Sequence, residues 1–258
     1  AFYIDGVEIP NINHFATQGA SGGPVSILNS DLIREISFYT GSFPSNRGGA
    51  LSSVMDITLK DGNPDKQAFK VILGASEAGV TASGHIGNNT TYIASVRQSY
   101  LQFLFKLLGL PLLPNYIDSQ IKIKTKLDSR NELTFLALAG FDNMKLNDNP
   151  DDKSNEYLLS YLPLLKQETF TVGMNYRYFS DRHIQTYTLS YNYLNNRSHK
   201  YLRNDDSSTD NLILKSSGLE GKAQVRFENR SYYGPWTIKE GALVSWRHFN
   251  SSVYRTLA

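Results

Sequence analysis

The chain has 258 residues, of which 40% are hydrophobic and 19% charged, with a net charge of +2 and no cysteine. That balance excludes a polybasic nucleic-acid or membrane-surface binder. It also excludes disulfides and thiolate metal sites, and the lack of any run of about 20 apolar residues excludes a transmembrane helix. Residues 1–63 come first and are mixed in character. Phe2-Tyr3-Ile4 reads as a short strand and Asp5-Gly6 as a turn. Residues 10–24 form a loop rich in Asn, Gly and Ser, and Asn29-Ser30-Asp31 offers N-caps for one helical turn over 32–34. A strand is expected over 35–40, a glycine-rich bend over 41–49 and another strand over 51–60. Asp61-Gly62-Asn63-Pro64 marks the expected boundary of this small α+β unit.

From 64 to 258 the pattern is strand after strand. About nine are expected, over 67–76, 79–87, 90–97, 116–127, 131–142, 166–179, 182–196, 212–229 and 236–250. Apart from a turn placed at Glu77-Ala78, the connections alternate short with long. Asn88-Asn89, Asp128-Ser129-Arg130, Ser180-Asp181 and Gly234-Pro235 are the short ones. Outer-membrane barrels have short periplasmic turns and long outer loops. The fold expected is mainly β, a partial transmembrane antiparallel β-barrel joined to a small α+β segment.

Successive side chains on a strand point to opposite faces. In 170–178 the set Phe170, Val172, Met174, Tyr176, Tyr178 is apolar, and Thr171, Gly173, Asn175, Arg177 is small or polar. The oily sets, with Val80, Ala82, Ile86, Ile121, Ile123, Leu133, Phe135, Ala137, Tyr187, Leu189, Tyr191 and Tyr193, are assigned to lipid. Lys122, Lys124, Lys126, Thr186, Thr188, Ser190, Asn192, Gln224, Arg226 and Glu228 are assigned to a wet lumen. A Lys or Arg on the lipid face at mid-bilayer costs about 2–4 kcal/mol, so the lysines decide which face is wet. A soluble β-sandwich with the same alternation is the competing architecture.

Two segments resemble the plug of TonB-dependent outer-membrane receptors. Ile4-Asp5-Gly6-Val7-Glu8-Ile9-Pro10 resembles the family's "IDGVPV" strand and turn. Residues 31–41 followed by 47–60, with Arg47-Gly48-Gly49 and Asp56-Ile57-Thr58-Leu59-Lys60, resemble its last plug strands, "ERIEV…G…YGxxxxGGVVNIITK". The wording around Phe38-Tyr39-Thr40-Gly41, and that of 95–116, is similar to receptors of the Bacteroidetes group. Here Arg47 stands where Tyr is usual, and Arg34-Glu35 where Glu-Arg is common. The resemblance implies 1–63 as the C-terminal part of a plug and 64–258 as the first part of a barrel. It also implies a plug about twice this length, an N-terminal TonB box and a 22-stranded barrel. Nine strands cannot close an antiparallel barrel, so the remainder is expected on the same or another chain.

The resemblance places the ligand site on the plug's apical loops. Asn11, Asn13, His14, Phe15, Gln18 and Ser21 are the candidates, suited to a neutral polar solute; an ordinary loop is the alternative. Arg34, Glu35 and Arg47 are candidates for seating the plug, with Glu132, Glu168 or Glu228 as partners, or else are solvated charges. Asn147 to Asp152 could hold Ca²⁺ but lacks EF-hand spacing, and a solvated acidic loop accounts for it better. Residues 99–108 read as a short helix with Leu101, Leu104, Phe105 and Leu108 on one face. It is expected to pack into the barrel mouth; a landing patch for a surface lipoprotein is the alternative. The five histidines lack metal-ligand spacing, and no nucleophile elbow, P-loop or dinucleotide fingerprint appears. No enzyme, cofactor, metal or nucleic-acid partner is expected. The function expected is energised uptake of a scarce solute across the bacterial outer membrane, in contact with its lipids and with a TonB energy-coupling complex. A passive channel or surface-assembly scaffold is the competing class.

Overall fold

The computed structural model describes residues 1–17, 20, 22–50, 52–147 and 153–256. The chain opens with a hairpin of β1 (Phe2–Ile4) and β2 (Val7–Ile9). Its turn is Asp5-Gly6, at φ 46° and 84°, the paired positive φ that a two-residue hairpin of the right twist requires. A two-residue pair, β3 (Asn13–His14) with β4 (Val25–Ser26), closes the loop that follows. Asn29 then caps a 3₁₀ turn over Ser30–Leu32, accepting from the Asp31 N–H. Next come β5 (Ile33–Tyr39) and β6 (Val54–Leu59). The sheet order is β2-β1-β6-β5, with β1 and β6 parallel. This sheet, with the β3–β4 pair and the loops that join them, is called the plug below.

The chain leaves the plug through residues 60–67 and builds nine antiparallel strands in chain order. They are β7 (Ala68–Leu73), β8 (Glu77–Ile86), β9 (Thr90–Ser99), β10 (Leu112–Lys126), β11 (Asn131–Leu146), β12 (Leu164–Phe179), β13 (His183–Tyr201), β14 (Leu212–Tyr233) and β15 (Trp236–Arg255). All nine strands read from the sequence are present. The turn expected at Glu77-Ala78 is not: both residues pair with β9 inside β8, and the connection is 74–76. The later strands also run past their expected long-loop ends, β13 to Tyr201 and β15 to Arg255. Two helices stand in the long connections, α1 (Leu101–Leu107) and α2 (Lys153–Tyr161). The C-terminal carbonyls of α2, Leu159 and Leu162, are held by the Lys200 ammonium.

The nine-stranded wall has two different faces. Val80, Leu189, Val225 and Val244 lie bare on one side. On β12 this apolar face runs nine residues, from Phe170 to Tyr178, the length of a strand crossing a bilayer. Above it alternation sets a polar rim of Gln98, Asn115, Asn143 and Lys166 at the long-loop end. The other face wraps the plug. The lumen is not uniformly wet, however. Ile93, Leu136 and Leu138 point inward and pack with Ile4, Val7, Ile9 and Ile57 of the plug in one buried cluster. A wall that holds a folded unit buries apolar surface against it where the plug presents some.

Close approach also explains a glycine. Gly173 faces β2, where a Cβ would overlap the Val7 methyls.

Candidate functional site

The buried seam between plug and wall concentrates the charged and polar chemistry of the molecule. At its long-loop end His14 is fully buried. Its Nδ1 lies 2.5 Å from Asp142 Oδ1 on β11, and its Nε2 lies 3.1 Å from Asp118 Oδ2 on β10. The ring stacks on Tyr116 at 4.1 Å between centroids. Asp118 also receives a two-point contact from Arg97 on β9, at 3.0 and 2.9 Å. Arg97 in turn donates to the Ser26 carbonyl of the plug at 2.8 Å and pairs with Glu77 at 3.3 Å. The Tyr116 hydroxyl donates to Glu77, and the Phe15 N–H donates to Asp142 Oδ2, both at 2.7 Å.

A neutral imidazole has one N–H, so it can serve only one of two carboxylates; the imidazolium serves both. Burial by itself pulls the His14 pKa down. The hydrogen bonds and charges of Asp118 and Asp142 outweigh it and hold the pKa above its ordinary value. In that state two cations, Arg97 and His14, face three carboxylates, Asp118, Asp142 and Glu77, the last of which also accepts from the Tyr116 hydroxyl.

Midway along the seam Asn29 reaches the wall with no charge involved. Its Nδ2 donates to Ser95 Oγ at 2.7 Å and Thr81 Oγ1 at 3.2 Å, and its N–H donates to Gln120 at 3.3 Å. Toward the short-turn end the ties are ionic again. Lys122 reaches Asp61 at 2.8 Å, Asp5 at 3.1 Å and the Leu59 carbonyl at 3.2 Å. Lys124 joins Asp61 to Glu132. Lys222 and Gln224 clasp the Glu8 carboxylate at 2.6 and 2.9 Å. Asn175 donates to the Asp5 carbonyl, Asn192 to the Glu8 carbonyl and Arg226 to the Gly6 carbonyl. Burial pushes the Asp5 carboxyl up. Burial also works to raise Glu8, but the Lys222 and Gln224 contacts prevail and hold it low.

Of the three seating candidates, the structure brings one to the wall. Arg47 is buried, forks onto Asp56 at 2.9 and 2.7 Å, reaches Glu228 at 3.4 Å and covers the Tyr3 ring at 4.5 Å. Arg34 is the extra residue of a bulge between β5 and β6 and is exposed; Glu35 beside it accepts only from Ser37 among the described residues. Glu132 pairs with Lys124 and Arg177 instead, and Glu168 with Arg197. Arg34 and Arg47 both line an open cleft of 820 Å³ at the short-turn end, together with Arg177, Arg226 and Glu228.

The apical-loop candidates divide similarly. Asn11 is buried and closes its own turn, donating to the Asn13 carbonyl and accepting from the Asn13 N–H. His14 is held by two aspartates, so the polar side-chain groups of Asn11 and His14 are engaged within the protein. Phe15, at φ 54°, remains partly exposed. Gln18 and Ser21 lie outside the described residues. So do Asp148 to Asp152 of the acidic loop, while Asn147 donates to the Leu110 carbonyl. The helix expected to pack into the barrel mouth, α1, lies against β10 and buries none of its residues in this open wall.

Asp118 and Asp142 were missed as site residues. Their signal was an acid at an inward position of a mid-wall strand, which needs a cation from the plug or from a neighbouring strand.

No protein-family model and no curated protein matches the sequence. Solved structures do match. The pyoverdine outer-membrane receptor FpvA from Pseudomonas aeruginosa PAO1, bound to pyoverdine, is similar at TM-score 0.70 and 14% identity over 99% of this chain and 40% of that one. The copper transporter OprC matches at TM-score 0.68 and 11% identity, over 98% and 38%. The siderophore receptor PirA from Acinetobacter baumannii matches at TM-score 0.68 and 11% identity, over 96% and 40%. The chain thus spans about two-fifths of the length of these proteins. The fold is the partial plug-and-barrel of TonB-dependent outer-membrane receptors, with the barrel open in this chain.

Proposed function

We propose that this chain is the plug-bearing part of an outer-membrane receptor that takes up a scarce solute when an energy-coupling complex pulls on the plug. One observation carries the reading. A folded four-stranded sheet fills the concave face of a wall whose convex face is oily, and it is held there by buried charged and polar contacts. A passive pore has no use for a folded unit lodged in its lumen.

The chemistry of the seam suits a plug that must move. Separating buried ion pairs returns each charge to water, which offsets the Coulomb energy given up. A seam that was apolar throughout would lose burial with no such compensation. Polar contacts therefore seat the plug in one register and still let it go. On the outer side, Phe15 offers a ring to a solute, steadied by an edge contact to Tyr116 at 6.3 Å. The pyoverdine receptor and the copper transporter among the similar structures make chelated and free metal ions the first solutes to try.

The test is uptake of radiolabelled ferric chelates and of copper by starved cells carrying the intact protein. Accumulation that stops when the proton-motive force is collapsed is the expected result. Accumulation that continues undiminished overturns the reading in favour of a passive channel.

A further inference from the structure

α1 follows directly on β9, and its start is pinned to the edge of the wall. The Tyr100 N–H donates to the Ser76 carbonyl at 2.9 Å, its hydroxyl reaches the Gly74 carbonyl, and Ser99 Oγ accepts from the Leu101 N–H. The helix packs on β10. At 100° per residue, Leu101 and Phe105 fall together, and these are its partly buried side. Phe103, Leu104, Leu107 and Leu108 occupy the neighbouring arc and are bare, Leu107 at 84% and Phe103 at 64%. Gln102 and Lys106 form the remaining narrow polar edge. Four apolar side chains are thus bare against two that are partly covered.

From this we infer that α1 is an interfacial helix, lying on the outer leaflet with its bare arc in the lipid surface and Lys106 among the phosphates of the headgroups. The inference rests on the reading of the wall as membrane-spanning. Position supports it: α1 begins just past Gln98, whose side chain bonds Asn115 at 2.6 Å in the polar rim that tops the apolar face. The same apolar face continues to its foot through Leu73 and Val96, both exposed. Chemistry supports it as well. The bare arc carries no hydrogen-bonding group, and lipid, unlike a protein partner, asks for no directional contact. A lone lysine beside an apolar arc is the arrangement in which the aliphatic stem lies along the oil and the ammonium reaches the anionic layer.

The chain has no cysteine, so nitroxide labels can be placed one at a time. Sites are Phe103, Leu107, Lys106 and, on the wall, Leu189, in the intact protein with any cysteine elsewhere replaced by serine. The protein is reconstituted into vesicles of phosphatidylcholine with a minor share of phosphatidylglycerol, and collision with oxygen is compared with collision with a nickel chelate. The expected result is a several-fold preference for oxygen at 103 and 107 and the reverse at 106. A nickel-accessible label at 107 overturns the inference, since the arc then faces water. A label at 107 shielded from both reagents also overturns it, since protein then covers the arc. The Leu189 label reports on the wall separately. Oxygen preference there with nickel access at 107 defeats the helix inference alone; nickel access at Leu189 defeats the membrane reading beneath it.

Discussion

The imidazole of His14, on the plug, is clamped between Asp142 at 2.5 Å and Asp118 at 3.1 Å, on adjacent strands of the wall, with all three buried. The clamp needs the imidazolium. Because the folded-state pKa of His14 lies above its ordinary value, its contribution to seating is complete below about pH 6.5. It is lost as pH rises through the raised, folded value. Glu8 has the opposite sign. Its folded pKa is depressed, so its contribution is present above its ordinary value and fades as pH falls through the lowered one. Protection of plug amides from hydrogen exchange in the intact protein is expected to weaken at the alkaline side. In His14→Gln that alkaline loss is expected to vanish while the acid loss stays. An unchanged alkaline profile in the variant contradicts the assignment.

Asp118 serves two cations at once, His14 and Arg97. Asp118→Asn leaves both without their shared carboxylate. Removing one partner of a buried ion pair costs about 3–5 kcal/mol. Thermal unfolding in detergent is expected to show that loss in the plug transition. Asp210→Asn, on an exposed long loop, is expected to show none.

Gly173 lies against Val7 of the plug, with no room for a Cβ between them. Gly173→Leu forces β2 away from β12, and overpacking of this kind costs about 1–3 kcal/mol. Protease should then cut within residues 1–63 of the folded protein at rates well above wild type. Gly221→Ala, facing outward beside the Tyr191 hydroxyl, should change little.

On the oily face, Leu189→Arg places a cation at mid-wall. The cost expected at the bilayer midplane is about 2–4 kcal/mol. A reduced yield of the heat-modifiable folded band after refolding into lipid is the predicted outcome; a full yield contradicts the lipid assignment of this face.

The wall was legible because a period of two survives wherever one face is oily. It faded where both faces are polar. Past Asn196 the run Arg197-Ser198-His199-Lys200 has no alternation, yet β13 continues because its ladder with β14 continues. α2 was not read because its segment follows an acidic loop and carries only a weak apolar stripe around Tyr157 and Leu158. The contact of Arg47 with Glu228 was legible as one of several possible pairings, while Arg34 was not separable from Arg47. The bulge that turns Arg34 outward exists only in the pairing of β5 with β6. His14 misled for a related reason. In an Asn- and Gly-rich loop it reads as a free hydrogen-bonding group, and its partners stand 104 and 128 residues away. The inward apolar residues Ile93, Leu136 and Leu138 likewise make sense only against the plug surface they cover.

The central claim, that the plug is seated by side chains of the wall and must part from them for transport, is tested most directly by a tether. Asn29 and Ser95 meet at 2.7 Å across the seam. The double variant Asn29→Cys, Ser95→Cys in the intact protein, bridged by a short bifunctional thiol reagent that a reductant cleaves, should stop solute uptake until the reductant is added. Undiminished uptake with the bridge in place would contradict it.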